Sequence, residues 1–495
     1  MMNKKKFQLT GGKQLSLMMV VTSLAQVLAI FKSTITAANF GACVELDAYN
    51  FANNLSGFFL TFVSAGITTV IIPAYIKKKD KDAINTFISV IFSVVGALLL
   101  GILLASGFLV DVLTNRDVVF KGYVCGLMGL SILTHLLPGI LGVTTAYYQT
   151  EGKYNIPKVI LLLSNLFVVV VLFAMKSFTI YEYLWILLAG SVFQFIFDIA
   201  IAYKIGFRYR ICFKVKSPQF KELFKIFLPT VFSNGVYKIH TMIDSMLSSS
   251  MGTGQLTLLS YSNTMIGMVN NMFIGNLSTY AYPKIVTALK EDPKKGQTVL
   301  WKYATAFHCI MCLLIAGFIT VGREFIALLY EHGKFTAEST RVVYLCMCIY
   351  IFGQQNNVVR DLIYRYFYSQ GNTKATTANS LTTSIVNIVL SVILAQFMGI
   401  YGLVLGTMLC GVYSLCSITI RMRKHYGFLI PMKSNVFEII KDEVALIVSA
   451  VSVLCVKQLF SVNYFADVLI FGCLTVLVYV FVLIVTKTKV FKTKL

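Results

Sequence analysis

Residues 32–75 read KSTITAANFGACVELDAYNFANNLSGFFLTFVSAGITTVIIPAY, two apolar runs that meet near Gly41 and close on Pro73. Runs of this length cross a hydrocarbon core of about 30 Å as helices. The same design returns downstream. Gly41 has a counterpart in Gly252 of SSSMGTG (248–254), and Pro73 in Pro283 of LSTYAYPKI (277–285). FLVDVLTN (108–115) resembles FIALLYEH (325–332), and YYQTEG (147–152) resembles FYSQG (367–371). The offsets run only from 210 to 219 residues, in order along the chain. Four ordered matches argue for two homologous halves, and two halves packed around a midplane site is a common transporter plan.

Working outward, similar runs fill the chain. Hydrophobic residues make up 57% of it, charged residues 13%, and mean hydropathy is +0.76, values outside the range of soluble domains. Fourteen spans are predicted, at about 15–37, 48–76, 84–111, 122–148, 156–175, 181–203, 223–247, 256–282, 299–321, 342–368, 376–396, 399–420, 443–461 and 465–486. No period-two alternation points to a barrel, so backbone groups in lipid must be satisfied within helices. The expected fold is all-α and polytopic: two pseudo-twofold six-helix lobes, residues 1–220 and 221–430, then a helix pair in 431–495.

The net charge of +22 raises the question of nucleic acid, and its distribution answers it. Most of the 43 lysines and arginines fall in alternate links, which is the positive-inside pattern. Both termini are therefore expected in the cytoplasm of a bacterial cell, with the basic clusters touching anionic lipid headgroups. No nucleic-acid partner is expected. The basic start and first apolar run mimic a signal peptide, but the run continues through Lys32 into a repeated segment. GREFIALLYEHGKFTAEST (322–340) is expected to form a short interfacial helix, then a turn at Gly333.

Enzyme chemistry finds no support. The 11 cysteines are an odd number and scattered. Cys309 and Cys312 form a CxxC inside an apolar helix with no evident accompanying ligands, so apolar packing is the expectation. The five histidines form no HExxH or HxxxH pair, and no P-loop occurs. No cofactor or metal site is expected. Sodium, protons and the membrane potential all stay open as energy sources.

Chemistry resides instead in ionisable residues within spans, where each charge costs about 2.5–3.5 kcal/mol to insert. Lys32 lies in span 1; Lys238, His240 and Asp244 in span 7; Arg360, Asp361 and Arg365 in span 10. The repeat offset sets Asp244 almost opposite Lys32. Arg360 and Asp361 are neighbours pointing about 100° apart and are not expected to pair. Asp198, near the end of span 6, is expected to snorkel. Amides cluster in spans 2, 8 and 10, including Asn53, Asn54, Asn263, Asn270 and Asn271. Pro73, Pro138, Pro229 and Pro283 are expected to bend helices. The excess of cations points to an anionic substrate group such as a lipid phosphate or pyrophosphate.

These segments carry a family resemblance. FG before Asp47-Ala48-Tyr49, a glycine at about 66 and the closing VxxP resemble the opening of the MurJ (MviN) lipid II flippases, of the multidrug/oligosaccharidyl-lipid/polysaccharide exporter superfamily. LLYEHGKFTAEST (328–340) is similar to that family's L-aromatic-x-x-G-x-F-T loop, and YYQTEGKYNIPKV (147–159) and RYFYSQGNTK (365–374) to its links into spans 5 and 11. The resemblance covers nearly the whole chain, including the extra helix pair, which in the family forms a groove for a polyprenyl tail. It implies alternating-access flipping of a polyprenyl-pyrophosphate-linked glycan, with no catalysis. The family's cavity arginines are mostly replaced: Gln26 and Lys32 stand in span 1, Phe59 and Leu60 in span 2, and Asn263 and Thr264 in span 8. The site expected from this reading is Lys32, Asp47, Lys238, Asp244, Arg360, Arg365 and Asn263. Two cargoes stay open, lipid II itself and another undecaprenyl-linked glycan of capsule or exopolysaccharide. The superfamily also admits a cation-coupled drug antiporter using Asp47 and Asp244, which the cationic cavity disfavours.

Overall fold

Each apolar run is a helix. A computed structural model describes residues 11–76 and 81–489. The two chain ends, on which the expected cytoplasmic termini fall, lie outside the described residues, as does the Lys238 side chain. The helices are α1 (Gly11–Phe40), α2 (Val44–Ile76), α3 (Lys81–Leu104), α4 (Ser106–Leu113), α5 (Val118–Thr150), α6 (Ile156–Ala174), α7 (Ile180–Ile205) and α8 (Pro218–Ser250). They continue as α9 (Gln255–Val269), a π-helical turn at Asn270–Ile274, α10 (Gly275–Glu291), α11 (Pro293–Tyr330), α12 (Ala337–Ser369), α13 (Thr373–Met398), α14 (Ile400–Tyr426), α15 (Met432–Lys457) and α16 (Tyr464–Val485). Taking α9, the π turn and α10 as one rod and setting aside the short α4 leaves fourteen membrane-length helices among the described residues. Among the described residues, ten helices are both long and apolar enough to cross a membrane. The protein is a multi-pass membrane protein.

Local chemistry sets the helix ends. Asp117 accepts from the Phe120 amide, and Thr179 with Glu182 forms a capping box. Asp292 caps α11 ahead of Pro293, and Thr336, Asn372 and Asn463 cap α12, α13 and α16. Each such cap contributes about 1 kcal/mol. Gly152 and Gly371, the repeat-matched glycines after α5 and α12, hold φ of 71° and 72°, a left-handed conformation that favours glycine. The sequence repeat is thus also a repeat of backbone shape. Helix α5 runs through Pro138, and the Thr134 carbonyl four residues earlier accepts from the Ser191 hydroxyl at 3.2 Å. That bond satisfies the carbonyl which proline leaves without its helical donor.

Two expectations are corrected. Helix α11 runs unbroken to Tyr330, so FIALLY is its last turns rather than a separate interfacial helix. No proline interrupts it, and the buried faces of Ile326, Ala327 and Tyr330 continue the α11 stripe. The turn at Gly333 is present, with φ 59°, and the counterpart α4 is indeed short. The CxxC is not isolated: His308, Asp442 and Glu443 surround Cys312, because α15 packs along α11.

By packing, the chain divides into two compact units, residues 1–39 with 43–250 and residues 40–42 with 251–495. In the first, α2 lies between α5 and α8, and α7 backs α5. In the second, Trp301, Phe307, Ile363, Phe367 and Met422 lead a buried core. The C-terminal pair is pinned to α11 there. The Lys457 ammonium donates to the Thr320 carbonyl and the Glu324 carboxylate, both at 2.6 Å. The Tyr479 hydroxyl donates to the Cys309 carbonyl at 2.8 Å, and Thr475 meets Thr320 at 2.9 Å.

Candidate functional site

In the first unit the polar side chains follow one face of α2. Asp47 and Asn54 are seven residues apart, nearly two helical turns, so they share that face. Opposite them on α8 stand Ser249 and Ser245, one turn apart, so the two helices run antiparallel. Asp47 has no accessible surface, and an Arg116 guanidinium nitrogen lies 3.9 Å from its carboxylate. Arg116 also donates to the Ser249 carbonyl at 3.4 Å and lies over the Phe120 ring, 5.0 Å from its centre. The Ser249 hydroxyl donates to Thr114 at 3.2 Å. Deeper, the Asn54 amide donates to the Ser245 hydroxyl at 2.9 Å. His135 Nε2 on α5 donates to the Asn53 amide oxygen at 2.8 Å, and that ring packs over Gly57. Hydrogen bonds of this kind between spans contribute about 0.6–2 kcal/mol each.

The predicted residues of this unit take different places. Lys32 is half-buried on α1, and among the described residues no carboxylate lies within ion-pair distance of it. Asp244 is half-buried beside Ser245, and the Ser248 hydroxyl donates to its carbonyl at 2.7 Å. Asp198 does not snorkel. It is 1% exposed, held on the α5 side of α7, and Tyr148 donates to its carbonyl at 2.7 Å.

In the second unit, the cations rest on aromatic faces. Arg360 and Asp361 do form an ion pair, at 3.2 Å, contrary to the expectation from their 100° divergence. The arginine side chain is long enough to sweep back along α12 to its neighbour's carboxylate. Arg360 also lies 5.8 Å from the Tyr364 ring centre, and Arg365 lies 5.5 Å from that of Tyr282. Contacts of this kind are worth about 0.5–2 kcal/mol. The Tyr364 hydroxyl accepts from Asn379 at 2.9 Å, and Asn379 donates onward to Ser414 on α14 at 3.0 Å. The Arg360 site is therefore held by a polar relay across α12, α13 and α14. Asn263 and Thr264 are exposed on α9, just before the π turn. Such turns often occur at functional positions.

Arg116 and His135 escape the sequence reading. Arg116 sits in a link between helices, where a basic residue reads as orientation charge. His135 belongs to no motif, and its one signal is an imidazole in an apolar run. Both acquire meaning only from partners 69 and 82 residues away in sequence.

Comparison with known proteins matches this architecture. A sequence-family model described as lipid II flippase MurJ matches residues 36–475. A probable lipid II flippase MurJ of Synechocystis is 23% identical over 431 residues, covering 80% of this chain and 78% of its own length. One from Thermotoga maritima is 24% identical over 418 residues, covering 82% and 84%. Among solved structures, a lipid II flippase MurJ in an inward closed conformation aligns at TM-score 0.80 and 20% identity, over 95% of this chain and 98% of that one. An inward-facing multidrug resistance MATE transporter of the MOP superfamily aligns at TM-score 0.67 and 13% identity, over 82% and 95%. These structures share the fold. With a family match that spans both repeats and reaches into α16, the chain belongs to the lipid II flippase MurJ family.

Proposed function

We infer that this protein carries an undecaprenyl-pyrophosphate-linked cell-envelope precursor, lipid II or a close analogue, across the bacterial cytoplasmic membrane. The observation that carries this reading is the family match over residues 36–475, which takes in both repeats. The reading is of a transporter without catalysis, working by alternating access, with both termini in the cytoplasm. Lys32, Lys238, Arg360 and Arg365 supply positive charge for the pyrophosphate. Asp244 balances a cation, Asn263 offers an amide to the sugar, and Asp47 fixes Arg116 at the outer end of α2. A pyrophosphate is well matched to arginine and lysine donors, because charge-assisted hydrogen bonds are about twice as strong as neutral ones.

Native mass spectrometry of the detergent-purified protein tests the cargo class. Undecaprenyl-pyrophosphate-linked saccharides are expected to bind, with occupancy that falls as salt rises, because screening weakens charge attraction. Cationic drugs are expected to bind poorly. Binding of cationic drugs, with none of lipid pyrophosphates, would overturn the reading in favour of an antiporter.

A further inference from the structure

Helix α11 presents His308 and, one turn on, Cys312 to α15 about three turns from its start, where Asp442 and Glu443 stand. His308 Nδ1 lies 3.2 Å from an Asp442 oxygen, and its Nε2 lies 3.4 Å from a Glu443 oxygen. The Cys312 sulfur is 3.6 Å from Nδ1 and 4.0 Å from Nε2. One donor atom from each of His308, Cys312 and Glu443 falls within 4.8 Å of the others. His308, Cys312 and Asp442 are all 5% exposed or less, and the Glu443 side chain is 34% exposed, which leaves a way in. The second Asp442 oxygen, Oδ1, is buried with no hydrogen bond among the described residues.

We propose that His308, Cys312 and Glu443 bind one zinc ion, with Asp442 orienting the imidazole, and that the ion clamps α15 to α11. Two ligands about 2.1 Å from an ion at the tetrahedral angle stand about 3.4 Å apart, which is the Nε2-to-Glu443 separation found here. The Cys312 sulfur is slightly farther from Nε2 than a bound pair requires, within reach of a side-chain rotation. Nδ1 donating to a carboxylate while Nε2 faces the other donors is the carboxylate–histidine–zinc arrangement, which sets the tautomer and raises ligand basicity. The Gln355 amide oxygen, 3.5 Å from the sulfur, or water completes four positions.

The donor set selects the metal. Sulfur and imidazole beside one carboxylate suit zinc, whereas calcium and magnesium require oxygen donors throughout. Charge argues the same way. An imidazolium would offset only one of two carboxylates, and a buried charge is normally paired or bound to a metal.

The test uses full-length protein purified in detergent with a tag free of histidine. After dialysis against micromolar zinc, elemental analysis is expected to find one zinc per chain. Cobalt substitution should give a thiolate-to-cobalt charge-transfer band that Cys312→Ser removes. His308→Ala should lose the metal, and Asp442→Asn should weaken binding about 10–100-fold. Zinc should raise the melting temperature of the wild type and not that of Cys312→Ser. Substoichiometric zinc in the folded wild type overturns the proposal. So does a cobalt spectrum unchanged by Cys312→Ser, which leaves a metal-free histidine–carboxylate contact as the whole role of the cluster.

Discussion

Arg116 reaches Asp47 in surroundings where neither side chain meets much solvent, at 9% and 0% exposure. Removing one member of a buried pair leaves the other charge uncompensated, which costs about 3 kcal/mol or more. Arg116→Ala is therefore expected to lower the melting temperature in detergent markedly. Arg116→Lys, which keeps the charge but loses the fork, should fall between. Lys121→Ala, which breaks the exposed Asp111 pair, should barely move it. Equal melting of Arg116→Ala and wild type would show that the pair carries no stability. None of this partnership was legible in the sequence, because a residue's position along one helix fixes its face, and which helix meets that face is a tertiary fact. The same holds for Asn54 with Ser245, 191 residues apart, and His308 with Asp442, 134 apart.

At the level of helices and turns, the sequence was far more readable. Apolar runs locate the helices, while the helices extend beyond those runs where a first turn is amphipathic. Helix α15 begins at Met432, not near 443, since Glu438 and Lys441 pair with each other at 3.0 Å on its early turns. The glycine pair tests the repeat directly. Gly371→Ala should cost about 1–2 kcal/mol from its left-handed backbone alone, and Gly152→Ala a similar amount, as nothing else crowds either site. Unchanged melting in both variants would contradict a conformational role for these turns. Topology is tested by single cysteines on a cysteine-free background. The segment carrying Lys214 bonds to the start of α3 through Asp82 and Thr86, so Lys214→Cys and Lys424→Cys should resist impermeant reagents in intact cells. Thr253→Cys and Lys334→Cys, both exposed, should react. Ser249 is a poor reporter, being buried. The native Cys43, in the α1–α2 link, should label slowly if retained, because burial pushes its thiol up to about 12 and the thiolate is the reactive form. Labelling at Lys214→Cys from outside would contradict the fourteen-helix arrangement.

For the whole molecule, the apolar runs and the family motifs were enough to read a polytopic, all-helical member of this family, with α15 and α16 as a closing pair. What they did not convey is how the pair is attached, through Lys457, Tyr479 and Thr475 on α11. The proposed transport of a lipid-linked pyrophosphate glycan relies on the positive charge of Lys32. The most direct measurement is translocation of a fluorescent lipid II in proteoliposomes, scored by access of an impermeant quencher. Wild type should flip it, Lys32→Arg should retain part of the rate, and Lys32→Ala, at equal incorporation, should lose at least about tenfold, the equivalent of 1.4 kcal/mol. Absence of flipping by wild type for lipid II and other undecaprenyl-pyrophosphate glycans alike would contradict the account, as would a wild-type rate in Lys32→Ala.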